Sequence, residues 1–278
     1  MNVTINLSDG GYSSYLTIAT PKSRTIATTG TAPLDWNTSA TWGALAAKTS
    51  TMVPDFLDDV VAVAGSLSVT IATGTVGRCR SLNLTNYVNT LTNNESLYIG
   101  ISIAPVTRLV SLPTNNIALK LVSGMTLAGA GWILVTHWTT TSTVEQITTA
   151  QTIDTAGRAI SDLSFIGGKY SFIDTGSITR TNSSFSLNDA NVNFNGKTFS
   201  LKSIGVSASS LTLGASSITL SSAGGSTNTF LDSTTALYID KNSTVSKGTS
   251  TIICTGNNAK VYSSQDLYIL KFTGTGVG

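Results

Sequence analysis

The fold class this sequence predicts is all-β, a right-handed parallel β-helix with a short irregular N-terminal segment. Three observations predict it. Apolar residues between 163 and 201 come in pairs one residue apart, Leu163/Phe165, Tyr170/Phe172, Phe185/Leu187, Val192/Phe194 and Phe199/Leu201. An i, i+2 pair is a strand with one face turned inward. The pairs start at 163, 170, 185, 192 and 199, a spacing of seven with one gap of fifteen into which Ile178 falls. Between them stand Ser, Thr, Asn and Gly, which are poor helix formers, so the seven is not a coiled-coil heptad. Strands this short need stacking to be stable, each pairing with its equivalent one turn of the chain away. Three units of seven make a coil of about 21–22 residues, the size of a three-sided parallel β-helix.

Composition agrees. Of 278 residues, 41% are hydrophobic, enough for a large core, and only 11% are charged, against roughly 25% in average domains. Roughly three residues in ten are Ser or Thr. The regular apolar pairs set the chain apart from a disordered stalk, which lacks the apolar residues to offset ordering entropy. Net charge is +2 with pI near 8.5, and Lys and Arg are scattered singly, so no nucleic-acid surface is expected. Cys79 and Cys254 each sit in a strand-like run and read as small buried side chains rather than a disulfide. Two cysteines and one histidine exclude a zinc site, and no cofactor or metal is expected. The first 18 residues have neither a basic start nor a continuous apolar run, so no signal peptide is expected, and no stretch has the apolar length of a membrane helix.

Along the chain, residues 1–20 read as two strands, Val3/Ile5/Leu7 and Tyr15 to Ile18, joined by a turn at Ser8–Gly11. Residues 21–58 hold Pro21, Pro33, Pro54, Trp36 and Trp42, and WGALAAK (42–48) is the one convincing helical turn. The division expected is an attachment and capping segment over 1–57 and a β-helix domain over 58–278. A cap is needed because the first coil of a β-helix otherwise exposes apolar side chains and unpaired backbone. Strands begin in DDVVAVAGSLSVTIATG (58–74) and continue through CRSLNLTN, SLYIGISIA, NIALKLVSG and MTLAGAGWILVTHW. A longer similarity places Phe185 on Ile252 and Leu201 on Ile269, an offset near 67 that equals about three coils. Leu163, Phe165, Phe185, Leu187, Val192, Phe194, Phe199, Leu201, Leu211, Leu213, Ile218 and Leu220 are expected to point inward, and Ile166, Ile173, Tyr268 and Leu270 outward.

The segment WGALAAKTSTMVPDFLDDVVAVAGSLSVTIATGTVGRCRSLNLTN resembles the opening coil of β-helical proteins of tailed-phage virions. SSLTLGASSITLSS, KGTSTIICTG and LYILKFTGTG resemble their later rungs. The resemblance covers roughly residues 40–278. It implies a non-enzymatic virion structural protein, a tail fibre, spike or similar appendage in assembly and host attachment. A glycan-binding or glycan-depolymerising tailspike is the alternative, and a capsid decoration protein a third. It also implies a homotrimer, contacts to other virion proteins through the N-terminal segment, and a host surface glycan as a further partner, with no nucleic acid and no membrane. The sequence stops at Gly278 directly after a rung, so either a neighbouring chain covers that end or the natural protein continues.

Candidate chemistry is sparse. A general acid/base pair needs two carboxylates about 5–10 Å apart. Asp154/Asp174 and Asp162/Asp189 are spaced to stack loosely one coil apart, while Asp58 and Asp59, being adjacent, point to opposite sides of a strand. Turn and surface roles are the expectation for all of them, and no catalytic residue is assigned. Trp132, His137 and Trp138 in GWILVTHWTTT are the candidate glycan or interface contacts: the aromatic rings could stack on sugars, and packing at a subunit interface is the competing role. A single histidine and no Gly-x-Ser-x-Gly elbow speak against nucleophilic catalysis.

Overall fold

The computed structural model describes residues 4–9, 12–17, 22–42, 53–55, 58–101, 116–137, 150–221 and 235–274, with positions 4–9, 12–17, 22, 101, 137 and 180–183 described by their backbone only. The protein is all-β: strand accounts for 53% of it and helix for 2%. Apart from one N-terminal hairpin, the named strands lie in long parallel sheets.

The strands occupy three places in rotation. The first runs through Val76–Cys79, Ser96–Ile101, Trp132–His137, Asp162–Gly167, the second halves of Ile178–Asn188 and Thr198–Ser207, Thr235–Ile239 and Lys260–Ser263. The second runs from Lys22–Thr25 and Asp58–Val61 through Ser81–Asn83, Ile117–Lys120, Gln151–Asp154, Lys169–Phe172, Asn191–Asn193 and Ser210–Thr212 to Thr244–Ser246. The third is a four-stranded sheet, Leu34–Asp35, Val69–Ile71, Thr90–Asn93 and Thr126–Ala128. It is followed, after a break over 155–161 where no strand forms, by the first halves of Ile178–Asn188 and Thr198–Ser207, then Ser217–Leu220, Thr251–Cys254 and Ile269–Phe272. The spacing of seven is the step from one place to the next. Leu163, Tyr170 and Ile178 lead the three in turn, and their register partners are Phe185, Val192 and Phe199.

All twelve residues expected to point inward are buried, as are Tyr170, Phe172 and Ile178. In the middle of the chain the core is aromatic. Phe172 stacks on Phe185 with centroids 5.7 Å apart and planes at 12°, and Phe194 meets Phe199 at 4.3 Å. Hydroxyls bond between register partners on adjacent strands of the first ladder: Ser164 to Ser186 at 2.7 Å in mid-strand, and Ser184 to Ser203 at 2.8 Å beside a register shift, pairs 22 and 19 residues apart. Ser184, Ser186 and Ser203 are buried, and these mutual bonds satisfy hydroxyls that would be costly to leave unpaired. Cys79 and Cys254 are buried free thiols.

The N-terminal hairpin is present, Thr4–Asp9 antiparallel to Tyr12–Thr17 with Ile5 opposite Leu16. The stacked pairing, however, starts earlier than residue 58: Lys22–Thr25 pairs with Asp58–Val61, and Leu34–Asp35 with Val69–Thr70. The boundary between 57 and 58 therefore does not separate paired from unpaired strands. Trp36 and Trp42 are buried against each other, edge to face at 4.8 Å, and the Trp42 indole N–H donates to the Trp36 carbonyl at 2.7 Å. Most of the helical turn expected over 42–48 lies outside the described residues; the helix that is described is the short 3₁₀ turn Ser39–Thr41. Two further expectations are corrected. The 67-residue offset crosses between places, because Phe185 pairs onward through Ile204, Leu237 and Val261, not toward Ile252. Leu270 does not face outward by phase. It shares the register of buried Ile218 and Ile252 and is exposed because it lies on the last described strand of that ladder. Ile173 and Tyr268 are exposed as expected, and Ile166 is half-buried.

Candidate functional site

The third ladder is interrupted over 155–161, where no strand forms. Beside it lies a depression of about 380 Å³ at the corner that follows the second ladder, lined by Lys120, Val122 and Ser123 from one coil, Asp154, Ala156 and Gly157 from the next, and Thr175–Ser177 from a third. That volume falls in the range of small-ligand sites, roughly 300–1,000 Å³. Lys120 and Asp154 are register partners on adjacent strands. Asp154 Oδ1 accepts the Ala156 N–H at 3.0 Å, an Asx turn that leads the chain into left-handed backbone at Ala156 (φ 48°) and Gly157 (φ 69°).

Asp174, whose side chain is buried, accepts the Thr155 N–H at 3.0 Å and the Thr155 hydroxyl through Oδ1. Burial pushes its carboxyl above the usual range; the Thr155 hydroxyl opposes the shift, and the negative charge of Asp154 adds to it. A neighbouring carboxylate with a raised pKa is the pattern of a general acid, but a general acid must reach the proton's destination. One oxygen of Asp174 is occupied by Thr155, and the other is buried with no hydrogen-bond partner. Asp174 therefore fixes a turn, and Asp154 alone of the two lines the depression.

The other acids serve the same structural ends. Asp58 pairs with Arg24 at 3.0 Å, while Asp59 accepts from Arg80 Nε at 2.9 Å and Ser81 Oγ at 2.6 Å, so the two do point apart. Burial raises the Asp58 carboxyl against the opposing effect of Arg24. Asp162 is raised by burial too, although the Ser184 N–H bonds it at 3.0 Å. It does not stack on Asp189: Asp162 is level with Ser184 at the start of its strand, and Asp189 follows Asn188, the partner of Ile166, near the other end. At Asp240 slight burial is outweighed by bonds from Ser243 (2.6 Å), Ser207 (2.9 Å), and the Ala208 and Asn242 N–H groups (both 3.1 Å), which hold the carboxyl below its usual range.

Of the aromatic candidates, Trp132 is half-buried and meets Tyr98 edge-on at 5.6 Å. The backbone of His137 ends its strand between Ile101 and Gly167; its side chain and the whole of Trp138 lie outside the described residues. Among the described residues no group of three or more His, Cys, Asp or Glu is placed to hold a metal, and no helix is long and apolar enough to cross a membrane. Sequence reasoning missed Thr155 as the partner of Asp174, and Arg24, Arg80 and Lys120 altogether. A signal existed: Asp174–Thr155, Arg80–Asp59 and Ser81–Asp59 are 19, 21 and 22 residues apart, the step between adjacent strands of the second ladder. Comparison with family models, curated proteins and solved structures finds no match.

Proposed function

We propose that this chain is a non-enzymatic structural protein of a tailed-phage virion, built as a right-handed, three-sided parallel β-helix and used as a fibre, spike or similar appendage in assembly and host attachment. The observation that carries the reading is the rotation of strands through three places, in which Leu163, Phe185, Ile204 and Leu237 pair in succession. Right-handed connection between parallel strands is the rule for such crossovers. A rod in which each coil's backbone is bonded by the next suits mechanical and attachment roles. Asp174 supports the non-enzymatic part, because the best-placed second carboxyl is occupied with holding a turn. The hairpin Thr4–Thr17, which pairs with no other described strand, suits attachment to another virion protein. The reading includes a homotrimer, on the strength of the resemblance to phage appendages.

Antibody raised against the purified chain should decorate one defined structure on tailed particles in electron micrographs, and particles encoding a deletion of residues 1–20 should lack it. Absence of labelling on any particle, or normal incorporation of the deletion, rejects the virion reading or the attachment role respectively. Decoration across the head rather than on an appendage replaces the appendage with a capsid decoration protein. Release of oligosaccharide from host envelope polysaccharide by the purified chain overturns the non-enzymatic reading.

A further inference from the structure

Among the described residues, the large apolar side chains that are strongly exposed fall into two groups. Tyr262, Tyr268, Leu270 and Phe272 belong to the last described coil; Val63, Val88 and Ile173 make up the rest. All three of the latter lie on one corner, in the turns that follow the second-ladder strands Asp58–Val61, Ser81–Asn83 and Lys169–Phe172. They are 38%, 68% and 38% exposed. Half-buried Val122 fills the same corner after Ile117–Lys120, and Val88 lies 3.8 Å from where a Cβ on Gly124 would be, which joins the turns of neighbouring coils. Single exposed apolar residues are ordinary on a protein surface, but several of them in the successive turns of one corner, beside a depression, mark a contact surface.

The charge on this corner says what covers it. Lys120 and Asp154 are register partners on adjacent strands, about 4.8 Å apart by the spacing of strands, and both line the depression, yet no ion pair joins them. One positive and one negative group side by side along an apolar edge form a patch complementary to itself. Around a three-fold axis the next copy brings its carboxylate to this ammonium, and this carboxylate meets the ammonium of the third copy. We propose that the corner following the second ladder, centred on Val88, Val122, Lys120, Asp154 and Ile173, is the surface through which copies of this chain pack against one another. The proposal rests on the homo-oligomeric part of the reading above and deepens it by naming the contact.

The test is light scattering coupled to size exclusion at tens of micromolar, with circular dichroism confirming the fold. The wild-type chain should run at a multiple of 28.8 kDa, and Val88→Asp, at a side chain already mostly in solvent, should run as the single chain. Lys120→Asp should weaken association at least tenfold, and the double variant Lys120→Asp/Asp154→Lys should restore it, because the exchanged charges still meet across the contact. Val88→Cys should cross-link copies with a short bismaleimide, whereas the wild type, whose Cys79 and Cys254 are buried, should not. A wild-type mass of a single chain overturns both the oligomer and the surface. An oligomer that survives Val88→Asp and Lys120→Asp overturns the surface and leaves the oligomer standing.

Discussion

Ile218, Ile252 and Leu270 occupy one register in the third ladder, on three successive strands, and are 0%, 2% and 36% exposed. Their side chains share one direction, so what differs is the number of described strands paired beside them. Ile218 has a paired strand on each side, carrying Phe199 and Ile252. Truncating it to Ala removes three carbons from a fully enclosed position and should cost about 2–5 kcal/mol, transfer and cavity terms together. Among the described residues Leu270 has a paired strand on one side only, and about a third of its surface already meets water. The same truncation there leaves no closed cavity, and the lost burial at about 25 cal/mol per Å² comes to about 1 kcal/mol. Urea unfolding of the two single variants against wild type, followed by circular dichroism, gives the comparison directly as a difference in midpoint at constant slope. Equal losses for Ile218→Ala and Leu270→Ala would refute the reasoning, since they would mean that the last strand is as well covered as the middle of the stack.

Gly248 has φ +51°, and a Cβ there would lie 2.2 Å from the Gly214 carbonyl oxygen, whereas a Cβ on Gly176 meets nothing within 4 Å. Gly248→Ala should therefore lower stability by about 2 kcal/mol or more and Gly176→Ala by under about 0.5 kcal/mol, read from the same unfolding curves. A pH series of melting temperatures tests the buried carboxyls. Asp58, Asp162 and Asp174 have folded pKa values raised above the ordinary 3.8, so their contribution is fully present below pH 3.8 and is lost as pH rises through the folded values. Asp240 is depressed and has the opposite sign: its contribution is present above pH 3.8 and is lost as pH falls through the folded value. Asp174→Asn retains an acceptor for Thr155 and should flatten the gain in melting temperature on acidification from neutral pH toward 4; an unchanged slope removes Asp174 from the account.

Which residues face the core was legible from the chain. Alternation is a local property of extended backbone, so Leu163/Phe165 and Phe199/Leu201 declare their inward side without reference to any neighbour, and Ile178 marks the strand in the one irregular gap. The hairpin at 4–17 was legible for the same reason, from two strand-like runs joined by a Gly-containing turn. Which strands lie side by side was not. Successive first-ladder partners are separated by turns of different length, so that Ser164–Ser186 spans 22 residues, Ser184–Ser203 spans 19 and Ser207–Asp240 spans 33. An alternation of period two is unchanged by such insertions, and a fixed offset of 67 therefore slides from one ladder to another. The candidate site depended on that long-range register throughout. Asp174 turned inward because Thr155 stands in the turn after the adjacent strand, Lys120 and Asp154 became neighbours across a span that no local rule sets, and Val88 came to lie beside Gly124 only through the pairing of neighbouring strands. Leu270 shows the complementary case: its inward phase belongs to the strand, but its exposure depends on whether another strand lies over it, and that is a property of the stack.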